Sequence, residues 1–226
     1  MFIFQTATPQ SVKDSGIYLA AEEKAIEEYL HAKNQNLFIY NGIQHLGYLI
    51  FIEGSPYYKS SAWEKGIVLY DDILYKNVQL KYDMVTDEVI ILQPINYLAI
   101  ILFSPRVNYF SFSGSNFIYL HANDSMQGGF YEQLATGKIN LLAKRKSLIE
   151  EKITSELIRR FIRKDQFYIR KDNQFHAIEN EKDVLNLLGG KKKLIKQYLK
   201  NNKIKFNRNR ELALVKIAEQ YNQTID

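Results

Sequence analysis

Between residues 45 and 142 the chain alternates short runs of β-branched and aromatic residues with turn-forming clusters, and nothing in that interval carries a helical repeat. Runs of this kind predict strands near 46–52, 65–70, 73–82, 88–92, 97–103, 107–113, 116–121, 129–135 and 138–143. Gly54-Ser55-Pro56, Asp71-Asp72, Thr86-Asp87, Ser104-Pro105, Ser113-Gly114-Ser115, residues 122–125 and Thr136-Gly137 punctuate them. Strands this closely spaced have no room for a crossover helix, so each pairs antiparallel with a neighbour. The expected class is α+β: an antiparallel β-meander, closed as a half-barrel, barrel or sandwich, with an N-terminal helix and a small C-terminal helical module. Trp63, Tyr70, Tyr75, Leu80 and Tyr82 are expected in a shared core or lining a concavity.

The flanks follow other periods. Residues 11–33 predict a helix with Ile17, Ala21, Ala25 and Tyr29 on one face, leading through Asn34-Gln35-Asn36 to a short strand at 37–40. Residues 147–163 fit either an extended strand or a short helix. A hairpin is expected at 166–170 and 174–178 around Lys171-Asp172-Asn173, then helices at 181–188, 191–201 and 210–221. Leu185, Leu188, Leu194, Ile195, Tyr198, Leu199, Leu212, Val215 and Ile217 form the expected apolar face of that tail. The chain divides on this reading into a lead-in (1–36), a β body (37–146), and a connector, hairpin and basic tail (147–226).

Several chemistries are absent from the sequence. Without cysteine there is no thiolate nucleophile, disulfide or iron–sulfur ligand. His31, His45, His121 and His176 show no ligand spacing, and no metal or other cofactor is expected. Asp71, Asp72, Asp83, Asp87 and Glu88 lack the spacing of a calcium loop and fall where turns are expected. Ser113, Ser115 and Ser125 lie outside any nucleophile elbow, and the Gly128-Gly129 and Gly189-Gly190 pairs outside any phosphate-binding frame. The most apolar run, 90–103, is broken by Gln93, Pro94 and Asn96, so the chain is not expected to be integral to a membrane.

Charge divides the chain. Residues 1–137 carry 8 Lys and Arg against 14 Asp and Glu, a net −6, while residues 138–226 carry 22 against 11, a net +11. The stretch 190–210 concentrates the imbalance, with nine basic residues and no acidic one. Its lysines occupy the polar side of an amphipathic helix, and Lys191, Lys192, Lys193, Lys196 and Lys200 are the candidate anion-binding or partner-binding residues.

Residues 54–58 (GSPYY), 63–72 (WEKGIVLYDD), 75–83 (YKNVQLKYD), 129–134 (GFYEQL) with Gly137-Lys138, and the lysine-rich close ending in Glu219-Gln220-Tyr221-Asn222 resemble a family of exported Bacteroidota proteins. Its members combine a β-rich body with a basic helical C-terminus and have no assigned activity or site. The resemblance implies a cell-envelope location, periplasmic or at the surface. The opening MFIFQTA lacks a basic start and a full apolar stretch. It reads as the tail of a secretory leader or as a start methionine before a mature chain. The resulting expectation is a non-enzymatic envelope binding or scaffold protein. Its partner would be an acidic protein surface, an envelope polymer or an anionic membrane surface. The alternatives are a nucleic-acid binder acting through the tail, or a hydrolase whose site is assembled from distant residues.

Overall fold

The computed structural model describes residues 35–48, 50–153 and 157–223. The helix expected at 11–33 lies outside them. Two compact units are present, Met1–Asn41 and Gly42–Asp226. In the first, Gln35–Tyr40 forms a 3-10 helix where a strand was expected over 37–40. Four consecutive apolar residues carry no period of their own, and here the chain closes a tight turn, with Asn41 N–H donating to Phe38 O at 3.2 Å.

The second unit is built on one sheet of eleven antiparallel strands. In chain order these are β1 (Ile43–Gln44), β2 (Glu64–Tyr70), β3 (Ile73–Asp83), β4 (Glu88–Leu92), β5 (Ala99–Ile101), β6 (Val107–Phe112), β7 (Ser115–Leu120), β8 (Gly129–Ala135) and β9 (Asn140–Lys144). A separate two-stranded sheet, β10 (Ser147–Ile153) with β11 (Leu157–Arg163), follows before β12 (Gln166–Lys171) and β13 (Gln174–Ile178) rejoin the main sheet. The spatial order is β1-β5-β4-β3-β2-β6-β7-β8-β9-β12-β13. Two meanders, β2 to β5 and β6 to β9, are thus joined where β2 pairs with β6, with Val68 opposite Phe110. Among the described residues of 46–52, where a strand was expected, no strand pairing forms. Gly47 turns left-handed at φ 71°, and the pairing on either side is β1 before it and a bridge from Glu53 to Arg160 after it.

Turn chemistry sets the registers. Asp71 and Asp72 (φ 49° and 63°), Ser113 and Gly114 (50° and 74°), and Asp172 and Asn173 (50° and 62°) each place two successive residues in the left-handed region, as two-residue hairpins require. Of the open residues 147–163, 147–153 and 157–163 pair antiparallel as β10 and β11. Cross-strand charges help to fix the pairing, Glu151 standing opposite Arg159 with an ion pair at 2.6 Å.

The sheet is strongly curled. On a flat sheet, four strand steps from β3 to β8 span about 19 Å, yet the Tyr82 ring lies 5.1 Å from Phe117, 5.5 Å from Phe110 and 6.0 Å from Phe130. Two register shifts on β2, at Gly66/Ile67 and Leu69/Tyr70, supply added twist. The inner face is filled by Tyr82, Phe110, Phe117 and Phe130, all fully buried, with Tyr58, Phe112, Tyr70, Tyr75 and Leu80 around them. Of the expected core residues, Tyr70, Tyr75, Leu80 and Tyr82 are buried. Trp63 is half-buried and covered by Lys81, whose ammonium sits 4.3 Å from the ring.

Three helices close the chain: α1 (Glu181–Leu187), α2 (Lys192–Asn201) and α3 (Arg210–Gln223). A capping box between Asn180 and Asp183 starts α1. A second core joins them to the sheet, through Val184, Leu185, Leu188, Ile195, Leu199, Leu214 and Ile217 against Leu141, Ile169 and Ile178. Leu194 and Leu212, expected on the apolar face, are instead 43% and 44% exposed. Each sits about 100° round its helix from the neighbouring residue that does face the core, Ile195 or Ala213.

Candidate partner-binding face

Helix α2 owes its orientation to Ile195 and Leu199, which are buried in the helical core and turn the opposite side outward. At about 100° per residue, Lys192, Lys193, Lys196 and Lys200 fall within an arc of about 100° that begins beside Leu199 and runs round toward solvent, and all four are exposed. Lys191 precedes the helix, half-buried, with its ammonium 5.2 Å from the Tyr221 ring. Four of the five predicted lysines thus form one surface, while the fifth also packs against α3.

The surface extends beyond those residues. The chain leaving α2 returns along it, and Lys196 and Lys200 share with Glu181, Lys205 and Asn207 the rim of a groove of about 500 Å³ floored by Leu199, Ile204 and Phe206. Lys203 and Lys205 are exposed as well. Among the described residues, none of Lys192, Lys193, Lys196, Lys200, Lys203 and Lys205 has a carboxylate within ion-pairing distance. Elsewhere Arg106, Lys144, Arg145, Arg159, Arg160 and Arg163 each hold an acidic partner, whereas Lys65, Lys76 and Lys81, scattered on the sheet, hold none among the described residues. Lys203, Lys205 and Asn207 were missed by sequence reasoning, although the alternation Lys203-Ile204-Lys205-Phe206 carries the signal of a segment with one wet and one dry side.

The buried charges lie elsewhere and are occupied with holding the fold. Arg145, at the end of β9, is 4% exposed and reaches Glu132 on β8, Asp165 (2.7 Å) and Glu211 in the first turn of α3 (2.6 Å). Burial disfavours its charge, but the hydrogen bonds and fields of Glu211 and Glu132 prevail and raise its pKa further. Burial likewise pushes Asp165 up, and Arg163 and Arg145 together bring it below the ordinary carboxylate range. Asp87, in the β3–β4 turn, pairs with Lys144 on β9 and accepts from the Tyr82 hydroxyl (2.6 Å). Burial, reinforced by Asp87, holds the Tyr82 phenol well above its usual value. Gly129 makes room for this contact, because at φ 126° an added Cβ would overlap the Asp87 carboxylate and the Lys144 ammonium.

Of the acidic residues considered for calcium, Asp71 and Asp72 sit in a turn. Asp83 accepts from Val85 N–H (2.8 Å) and the Tyr48 hydroxyl (2.9 Å). No group of three or more metal-ligating side chains occurs among the described residues. His45 meets the Tyr57 hydroxyl (3.0 Å), His121 packs edge-on to Tyr119, and His31 lies outside the described residues. Ser115 is the serine with reactive-looking neighbours: Lys59 Nζ donates to its Oγ at 2.9 Å, and the Tyr58 hydroxyl is 3.0 Å away. Tyr58 in turn donates to Glu132 (2.7 Å). Ser115 is only 6% exposed, and Lys59 also donates to Ser113 O (3.0 Å), so the constellation pins residues 56–59 to the β6–β7 turn.

A smaller cavity of about 270 Å³ beside β12 and β13 is bordered by Arg210, whose guanidinium covers Phe167 and donates to Glu179 O and Asp165 O. Among the described residues no helix is long and apolar enough to cross a membrane. Compared with family models, curated proteins and solved structures, the chain matches none.

Proposed function

We propose that this protein is a non-enzymatic binding or scaffold component whose C-terminal basic face docks on an acidic surface, and that it works in the cell envelope. The observation that carries the binding role is the set of six exposed lysines between residues 192 and 205 that have no acidic partner among the described residues. An uncompensated basic patch attracts anionic surfaces, and the body that precedes it has the opposite net charge. The envelope location rests on the family resemblance and on the acidic polymers, proteins and lipid surfaces found there. Replacing Lys191, Lys192, Lys193, Lys196 and Lys200 with Gln tests the role. Association with anionic vesicles, acidic protein and duplex DNA should weaken with rising salt in the parent, with a log–log slope of about −0.9 per duplex-DNA phosphate contact, and flatten in the variant. Unchanged association in every assay refutes the reading. Sequence-selective DNA binding at physiological salt would favour the nucleic-acid alternative.

A hydrolase reading has one observation in its favour, the Ser115 hydroxyl within 2.9 Å of the Lys59 ammonium. A fluorophosphonate probe decides it: labelling that disappears in Ser115→Ala would support a nucleophilic serine, and absence of labelling the structural role.

A further inference from the structure

We infer that the groove beside α2 is a docking slot for an acidic peptide segment of a partner protein, one that carries a large apolar side chain between its carboxylates. This rests on the basic-face reading above and narrows it. The floor is hydrocarbon, with half-buried Ile204 flanked by the buried Leu199 and Phe206. The rim brings together Lys196 and Lys200 from α2 and Lys205 from the returning chain. A ligand that used the lysines alone would leave the floor wet. The groove, about 500 Å³ in volume, has room for a leucine or aromatic side chain with its neighbouring backbone.

Two further rim groups separate a peptide from a polyanion. Glu181 opposes a phosphate or sulfate polymer laid along the groove, whereas a peptide offers it backbone N–H donors. Asn207 is exposed, and among the described residues its side-chain amide has no intramolecular hydrogen bond, leaving a donor and an acceptor in the geometry that pairs with an extended backbone. The charge pattern therefore asks for carboxylates beside the lysines, backbone beside Asn207 and Glu181, and an apolar anchor between them. An anchor buried on such a floor is worth about tenfold or more in affinity over a glycine at the same place.

The test uses the full chain and two fluorescent peptides, one with a leucine between runs of glutamate and one with glycine in its place. The expected result is binding of both at low salt, with the leucine peptide about tenfold tighter. In Asn207→Trp, which fills the slot from an exposed position and leaves every lysine in place, that preference should vanish, both peptides binding through the lysines at an affinity no higher than the glycine peptide shows for the parent, since the Asn207 backbone bond is lost to both. Equal affinity of the two peptides for the parent overturns the slot and leaves the basic face standing. Failure of both peptides at low salt overturns slot and basic face together. Tighter binding to phosphatidylglycerol vesicles than to the leucine peptide, unaffected by Asn207→Trp, also overturns the slot and assigns the lysines to a lipid surface.

Discussion

Replacing Arg145 with methionine removes a cation shared by Glu132, Asp165 and Glu211 while keeping most of the side-chain volume. The three carboxylates feel the loss unequally. Glu211 is 41% exposed and is readily solvated, so its share is small. Asp165 keeps Arg163 at 2.9 Å. Glu132 is 6% exposed and is left with the Tyr58 hydroxyl alone, so a charge is stranded in the sheet interior. Breaking a buried pair from one side costs about 3–5 kcal/mol, and the remaining Tyr58 bond argues for the lower end, about 3 kcal/mol. For a chain of this length that is a fall in Tm of roughly 6–12 °C. Urea unfolding followed by tryptophan fluorescence and by circular dichroism measures it, with an unchanged m-value as the check on two-state behaviour. Adding Glu132→Gln to the variant removes the stranded charge and should restore at least half of the loss. A loss below about 1 kcal/mol in the single variant, or no recovery in the double one, refutes the view that Glu132 depends on Arg145.

The same cluster sets an acid limit. Because the folded-state pKa of Asp165 is depressed, its stabilisation is complete above the unfolded value of about 3.9 and is lost as pH falls through the folded one. Urea midpoints should therefore drop below about pH 4 in the parent, and less steeply in Asp165→Asn. Gly129→Ala forces a side chain into the Asp87–Lys144 contact at a left-handed φ, with an expected loss of about 3 kcal/mol in the same assay; a neutral result would mean that the β3–β4 turn moves freely. Phe110→Ala empties the centre of the aromatic cluster, where its ring stacks on Phe117 at 4.6 Å. It should cost about 3–5 kcal/mol, against under 1 kcal/mol for Tyr109→Ala on the half-exposed face, compared by thermal melts.

What the residues disclose in advance is local. The Asp71-Asp72 and Asp172-Asn173 turns, the strands they join and the three closing helices follow from propensity and period, and so does the exposure of Lys192, Lys193, Lys196 and Lys200. What stays hidden is convergence. Lys144-Arg145-Lys146 carries no local sign of burial, yet Lys144 at the end of β9 and Arg145 just after it are buried, because Asp87 from the β3–β4 turn and Glu132 from β8 meet them there. The groove was half visible for the same reason: Lys196 and Lys200 belong to a helix with a clear period, whereas Lys205 and Asn207 reach it only because the chain doubles back. Residues 37–40 and 46–52 misled because an apolar run says that a segment is buried or paired somewhere without saying with what.

The seam between β2 and β6 has a consequence for how the chain folds. Every other pairing of the main sheet from β2 to β9 joins strands consecutive in the chain, whereas Val68 meets Phe110 only after the whole β3–β5 meander has intervened. Hairpin closure is fast and local, so the two meanders can zip separately, and the search that remains is the meeting of two preformed edges. Loop-closure entropy grows only with the logarithm of the intervening length, each doubling adding about 0.6 kcal/mol. Extra residues inserted at the β4–β5 turn, where Ile95 and Tyr97 are already exposed, would thus slow the joining of the edges only slightly. The first meander is accordingly a place where the chain can grow in length without losing the sheet.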